Sequence, residues 1–389
     1  MSTEPVRRAQ GGFSLIELMV ALVLAALGII VIYQVVSLAE SRKRSVVAGG
    51  DAQVQGNLGM LGLERELASA GWGLAGLSAG SFGCPLPVGS ASVPLFPIWA
   101  TDGGVDGAGL PRPDTLTVIT GNSPLMSSVA NYTATSGGTT TVTRSIAGFR
   151  YTAGGTIDTV LFADGLATAG HCLLTPLTGV STAGTGSITT VDLATTLLAT
   201  AGQVANLGNL PRVVRWSIAD SGQLVYQQLA GPAADALPVP AADGIVNLQI
   251  QFGFDANRNG QIDEATEWFD PGDPRFLPAS QPSTYSYVMA VRIALLARSG
   301  QYEKGGVYLP AGQNPGSGAS PSDPRTLTEA QRPVMPWTGT AFHIGTPASV
   351  SAAEVSASQA GGADPVSDWR NYRYRVYASG VVPLNLVWR

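Results

Sequence analysis

Histidine, cysteine and lysine occur only twice each in the 389 residues of this chain, and charged residues make up just 13% of it. Each scarcity excludes something. With His171 and His343 alone, a histidine-based triad or a zinc site has few groups to draw on. His171 adjoins Cys172, a pair that could serve a metal or thiol site, but lone residues of this kind are usually structural. The only lysines are Lys43 and Lys304, and neither closes a phosphate-cradling glycine loop. A formal net charge of −5 argues against binding through phosphate neutralisation, so no direct nucleic-acid binding is expected. Cys84 and Cys172 are far apart. In an extracytoplasmic domain they could form one disulfide closing a long loop; the alternative is two free buried thiols.

Catalytic signals are equally thin. Gly76, Ser78 and Gly80 satisfy G-x-S-x-G, but a nucleophile elbow needs a strand before the serine and a helix after it. Here the match falls in a Gly/Ala/Ser-rich stretch just past an expected helix. No enzymatic activity is expected.

What the chain does have is one long apolar run near its N-terminus. Gly11-Gly12-Phe13-Ser14-Leu15-Ile16-Glu17 opens it, and it reaches Val36. Residues 13–36 would form ~36 Å of helix, enough to cross a bilayer core. Arg7 and Arg8 precede the run and would hold that end in the cytoplasm. A carboxylate at the head of such a segment is expensive in hydrocarbon, so Glu17 should have a partner or a task. A general secretory signal has the opposite layout, with cleavage after the apolar region. An uncleaved anchor with an incidental Glu17 is the plain alternative. Gly28 lies inside the helix and weakens it by ~1 kcal/mol relative to Ala, which makes it a point of local unwinding or of close helix packing.

These residues resemble the class III signal of type IV prepilins. The resemblance implies cleavage after Gly12 by a prepilin peptidase and methylation of Phe13, with Glu17 as the fifth mature residue. The leader would be residues 1–12, carrying Arg7, Arg8 and Glu4, so a mature chain would stand at −6. In a filament, the Glu17 carboxylate of one subunit would neutralise the Phe13 amine of a neighbour. Such a pair adds little raw stability but penalises wrong staggers, because a lone buried charge costs ~3–5 kcal/mol. Its use would be register.

Beyond the apolar run, helical spacing continues. Arg42, Lys43 and Arg44 end the strongly apolar part, and solvation is the simplest role for them. Val54, Leu58 and Leu61, then Leu63 and Leu67, form an apolar stripe expected to pack on a sheet. Gly49, Gly50, Gly56, Gly59 and Gly62 argue against an unbroken helix, and Ala70-Gly71-Trp72-Gly73 stops it. An amphipathic continuation over 37–73 and a β-rich globular domain over 74–389 follow. Strands are expected over 114–120, 139–145, 156–163, 213–218, 223–229, 245–254, 285–298 and 372–382. Thr/Gly/Ala-rich stretches at 134–140 and 182–186 separate some of them. A Pro/Gly/Ser-rich, loop-like insertion occupies about 309–365. The fold class is α+β: a long N-terminal hydrophobic helix whose second half packs on an antiparallel sheet, with extra β-structure appended.

Asp255, Asn257, Asn259 and Asp263 place oxygen side chains at positions one, three, five and nine of a loop with Gly260 at six. This matches the first part of an EF-hand-type calcium loop, in which Gln261 would offer its carbonyl. Position twelve departs, since Thr266 replaces the bidentate Glu; Glu264 or Glu267 could compensate. A structural calcium ion and a metal-free polar hairpin turn both remain open.

Further segments resemble PilW-type minor pilins: Leu63 to Trp72 followed by Gly83-Cys84, Tyr287 to Ser299, and Tyr374 to Tyr377 with Pro383-Leu384-Asn385-Leu386 as closing strands. Pro383 departs from that family's usual pattern. The likeness favours this family over the shorter J-type minor pseudopilins of type II secretion. It implies a type IV pilin-like fold with an enlarged β-rich domain, in the bacterial inner membrane and then on the pilus. It also implies a role in priming pilus assembly, a place at the pilus tip, and involvement in twitching motility, cell adhesion or DNA uptake. The implied partners are other minor and major pilins, the prepilin peptidase, the inner-membrane assembly platform and a tip adhesin. The rival readings are a type II secretion pseudopilin, a membrane-anchored calcium-dependent binding module and a tethered hydrolase using Ser78.

Overall fold

The structure is a computed structural model that describes residues 14–89, 91–105, 111–124, 129–136, 139–143, 148–163, 172–181, 186–190, 201–230, 234, 237–263, 266–276, 288–300, 334–339, 341–343 and 372–387. Gly12 and Phe13, His171, Glu264 and most of the 309–365 insertion lie outside the described residues.

Helix α1 spans Leu15–Ser69, 55 residues or about 80 Å, without a break. Ser14 precedes it in extended conformation, and Ala70 leaves helical geometry at its end. Gly71 follows with φ +78°, and its N–H donates to the Ile119 carbonyl at 2.8 Å. The glycines do not interrupt α1. Each costs about 1 kcal/mol of helix propensity, but packing dominates helix stability in a folded domain.

The expected stripe is half corrected. Leu63 and Leu67 are fully buried, whereas Val54, Leu58 and Leu61 are 63%, 51% and 63% exposed. The buried face consists of Ala52, Gly56, Gly59, Met60, Leu63, Glu66, Leu67 and Ala70. At roughly 100° per residue, Val54, Leu58 and Leu61 point to the opposite side. Glycine shares with leucine the face that touches the sheet. A Cβ on Gly56 would stand 2.2 Å from Tyr377 Cε2, one on Gly59 3.0 Å from Leu224 Cδ2, and one on Gly62 3.1 Å from Trp216 Cη2. Their bare backbone lets α1 settle closely onto the strands.

After α1 come β1 (Pro85–Val88), β2 (Ala91–Pro94), β3 (Ile98–Thr101) and β4 (Thr115–Thr120). A second group holds β5 (Ala130–Ser136), β6 (Thr139–Val142), β7 (Thr159–Ala163), β8 (Cys172–Ser181), β9 (Ser187–Thr190) and β10 (Gly202–Gly208). Then follow β11 (Arg212–Ala219), β12 (Gln223–Ala230), β13 (Val239–Asp243), β14 (Ile245–Phe254), β15 (Trp268–Phe269) and β16 (Val288–Arg298). The described part closes with β17 (Val334–Met335), β18 (Phe342–His343), β19 (Tyr374–Val381) and a single turn, α2 (Leu384–Val387).

All pairings between these strands are antiparallel. One sheet has the order β13-β12-β11-β4-β3, and a second β15-β14-β16-β19. Strands β5 to β10 close into a six-stranded barrel. Because β4 pairs directly with β11, Thr120 opposite Arg212, the whole barrel is inserted between two neighbouring sheet strands. The extra β-structure is therefore inserted, not appended. Two further expectations change. The β17–β18 pair is a short ladder inside the expected loop, with Val334 opposite His343. Leu384 to Val387 form a helical turn instead of a closing strand, and Asn385 Nδ2 donates to the Ala70 carbonyl at 3.0 Å. That bond satisfies one of the carbonyls that every helix C-terminus leaves open.

The main core lies between α1 and the two sheets. Strand β16 shows how period two serves two cores. Val291, Ile293, Leu295 and Ala297 belong to the main core, while Ala294 and Leu296 pack with Val246, Met335, Phe342, Tyr372 and Tyr374. The barrel has its own interior, built on Tyr132, Phe149, Val160, Phe162, Leu177 and Ile188.

Candidate functional site

The N-terminal half of α1 is exposed along its whole length. Leu15–Glu40 is long and apolar enough to cross a membrane, and none of it is buried. Within it, Glu17 is the only charged residue before Glu40, and it sits in the first helical turn. An acid there also lies near the positive end of the helix macrodipole. Ser14 and Glu17 have capping-box spacing, although Ser14 makes no side-chain cap bond. The Gly12–Phe13 junction lies outside the described residues. Lys43 is exposed, in keeping with a solvated role past the span.

At the other end, α1 is pinned. Glu66 is 6% exposed and receives a bond from Arg212 Nη2 at 3.1 Å, tying the helix to the start of β11. Burial raises the Glu66 carboxyl above its ordinary value, against the pull of Arg212 and Arg65. The segment after the helix then clamps the barrel. Trp72 Nε1 donates to the Ser123 carbonyl at 2.9 Å. Ser78 N and Ser81 Oγ both donate to Gln203 Oε1 of β10, at 2.7 and 3.0 Å. Ser78 thus sits in a loop leading into the 3-10 turn Ala79–Ser81, and its hydroxyl lies 3.0 Å from that of Ser81. It has no strand–serine–helix context. Cys84 and Cys172 are bonded, with Cα atoms 5.8 Å apart, and join the β1 hairpin to the first residue of β8.

The Asp255–Asp263 segment lies between β14 and β15, a hairpin setting without flanking helices. Its side chains grip their own backbone. Asp255 Oδ1 accepts from Asn259 N at 3.0 Å and its Oδ2 from Gly260 N at 2.8 Å. Asn257 Oδ1 accepts from Asn259 N, and Asn259 Oδ1 from Gln261 N. Gly260 has φ +80°, a left-handed conformation that glycine adopts without strain. Motif matching alone underrated Glu267. It is 2% exposed, and it accepts from Ala256 N and Asn257 N through Oε1 and from Asp263 N through Oε2. It holds both limbs of the loop together. Among the described residues, no group of three or more His, Cys, Asp or Glu is placed to hold a metal.

One buried acid was not singled out from sequence. Asp114, 2% exposed at the foot of β4, accepts from Gly103 N at 3.0 Å and from Ile250 N of β14 at 2.8 Å, so it stitches the two sheets together. Burial pushes its carboxyl up to about 7. The two amide bonds oppose this shift, and the charges of Asp102 and Asp270 add to it. Nothing in the strand pattern signalled it, because the residue reads as an ordinary strand start.

Two stretches of the chain match known families. Residues 213–336 match Type IV Pilus-assembly protein W, and residues 7–33 match the prokaryotic N-terminal methylation motif. The first stretch runs from β11 to β17 and contains the Asp255–Asp263 loop; the second contains Gly12, Phe13 and Glu17. No curated protein and no solved structure matches the chain.

Proposed function

We propose that this chain, by both family matches a PilW-family type IV pilin anchored in the inner membrane through its N-terminal helix, acts as a minor pilin that primes pilus assembly and sits at the pilus tip. The observation that carries the reading is one unbroken helix with two fates. Its second half is locked to the sheets, and its first half is apolar, exposed and charged only at Glu17 before Glu40. Such a helix needs lipid before assembly and neighbouring helices after it. In this reading Gly12 is the last leader residue, Phe13 is the methylated terminus, and Glu17 answers a neighbour's Phe13 amine and thereby sets the stagger. Partners are other minor and major pilins, with the prepilin peptidase and the assembly platform acting on the chain beforehand and a tip adhesin beyond it. The role is structural and not catalytic.

The Asp255–Asp263 loop would take a structural Ca²⁺ through Asp255, Asn257, Asn259, the Gln261 carbonyl and Asp263. These are the hard oxygen donors that calcium prefers, gathered by a turn that Gly260 permits. The ion would brace the hairpin that Glu267 already closes. An unchanged melting temperature on adding chelator, with no calcium in the purified protein, removes the ion.

The deciding measurement is the intact mass of the mature chain together with the identity of copurifying subunits. A methylated Phe13 start with pilins attached is expected. An uncleaved N-terminus refutes the reading, and copurification with secretion-system subunits instead transfers the chain to the pseudopilins.

A further inference from the structure

We infer that the outer edge of β19 receives an extended segment of another polypeptide, which adds there as a further strand beneath the overhanging helix α1. The inference goes beyond the minor-pilin reading and does not depend on it. β19 ends its sheet, and its eight residues pair with β16 without a bulge, from Tyr374 opposite Arg298 to Val381 opposite Val291. Ser299 N donates to the Arg373 carbonyl at 2.8 Å, which sets the phase of the ladder. Residues 375, 377, 379 and 381 therefore turn their backbone groups toward β16, whereas Val376, Ala378 and Gly380 turn N–H and C=O the other way. Among the described residues, no backbone bond reaches these three from that side. Ala378 and Gly380 are exposed. Proteins blunt such edges with proline, bulges or charge, but β19 has no proline, no bulge and a single charge, Arg375.

Three observations select the occupant. First, N–H and C=O groups repeated at alternate residues along an edge are complementary to another extended backbone. Second, α1 leaves the domain over β19 with room beneath it. The Ala52 carbonyl accepts from the Tyr377 hydroxyl at 3.5 Å, and Gly56 lies against the Tyr377 ring. Gly49 falls on the same face of the helix one heptad earlier, and a Cβ added there meets nothing within 4 Å. Those seven residues carry the helix ~10 Å, about two strand spacings, so its bare face runs on past the last strand. Third, a second copy of the chain does not fit. Antiparallel pairing of two β19 edges sets the two α1 helices in opposite directions, and both spans could not then enter one membrane. The occupant is thus a lone segment of a different chain, with small uncharged side chains toward Gly49.

The test is amide hydrogen exchange of the full-length chain in detergent, alone and with the polypeptides that copurify with it. The amides of Val376, Ala378 and Gly380 are expected to exchange freely in the lone chain and about a hundredfold slower or more in the complex, while those of Arg375, Tyr377 and Ser379 are slow in both. Slow exchange of the first three in the lone chain overturns the inference, because the edge is then filled from within. Fast exchange in the complex, protection only in a homodimer, or a chain that retains no other polypeptide overturns it as well. In parallel, Ala378→Pro removes an outward N–H without touching the β16 ladder, and Ala378→Val keeps that N–H. The proline chain is expected to melt close to wild type and to retain about a tenth or less of the bound polypeptide, with the valine chain unchanged. Equal retention by both overturns the inference, and if the proline chain fails to fold, the exchange measurement decides alone. None of these outcomes bears on a methylated Phe13 start, which tests the minor-pilin reading separately.

Discussion

Placing alanine at Gly56 sets two opposed effects against each other. In an open helix, Gly→Ala gains about 1 kcal/mol through reduced backbone entropy and better propensity. Gly50 is such a site, with nothing within 4 Å of an added Cβ, and Gly50→Ala should stabilise by about that amount. At Gly56 the new methyl would stand 2.2, 2.5 and 2.7 Å from Cε2, Cδ2 and Cζ of Tyr377. The obstacle is a ring edge on β19, packed against the main core, and its hydroxyl reaches the Ala52 carbonyl at 3.5 Å. Neither ring nor helix can yield by a few tenths of an ångström and clear that overlap. Overpacking of this kind costs ~1–3 kcal/mol, and an overlap this close lies at the upper end of that range, above the propensity gain of about 1 kcal/mol. Gly56→Ala should therefore destabilise by about 1–2 kcal/mol while Gly50→Ala stabilises. Gly59→Ala should fall between them, because the end of the Leu224 side chain at 3.0 Å can turn away. Denaturant melts of the three variants, followed by circular dichroism at equal detergent, give the comparison. A Gly56→Ala protein at or above wild-type stability would refute the view that this glycine exists to seat the helix.

Glu17→Ala should leave membrane insertion and domain melting intact, yet reduce pilin recovered with the chain at least tenfold; normal recovery in correct alignment would dismiss the register role. Replacing Cys84 and Cys172 with serine releases a closure of 88 residues, for which chain entropy predicts a loss of about 4–5 kcal/mol, measurable by denaturant melts with and without reductant. A loss below 1 kcal/mol would mean that the post-helix clamp holds the barrel unaided. Asp114 makes stability depend on pH. Its folded carboxyl lies above its unfolded value of 3.8, so its contribution is fully present below about pH 4 and is lost as pH rises through about 7. The full span is of order 4 kcal/mol. Asp114→Asn should flatten melting temperature against pH between 5 and 8, whatever it does to absolute stability. An unaltered slope would show that another group carries it.

Much of this architecture was legible in residue order. The span, the charge at Glu17 and the strand at 245–254 follow from composition and period, because a membrane and a two-sided core each demand one type of residue at known spacing. The Asp255–Asp263 turn was legible too, since its chemistry is confined to a dozen consecutive residues. The barrel was not. Only its 139–142 and 159–163 segments read as strands, while β5, β8, β9 and β10 contain Thr, Gly and Pro, and closure rather than apolar alternation keeps them paired. Nor could residue order reveal that the barrel is spliced between β4 and β11, because that fact is a pairing between residues some ninety positions apart.

The helix shows the division most plainly. Local sequence was enough to make the first half helical and apolar, since propensity and hydropathy act within a few residues, whereas the unbroken passage through the glycines of the second half depends on packing. Which side of the second half faces the sheet was decided by tertiary contact. Leucines would be chosen for burial on hydrophobicity alone, yet Tyr377 leaves no room for a Cβ at Gly56 and Leu224 and Trp216 crowd Gly59 and Gly62, so close packing outranks side-chain transfer where backbone and strand must meet. That choice turned Val54, Leu58 and Leu61 outward.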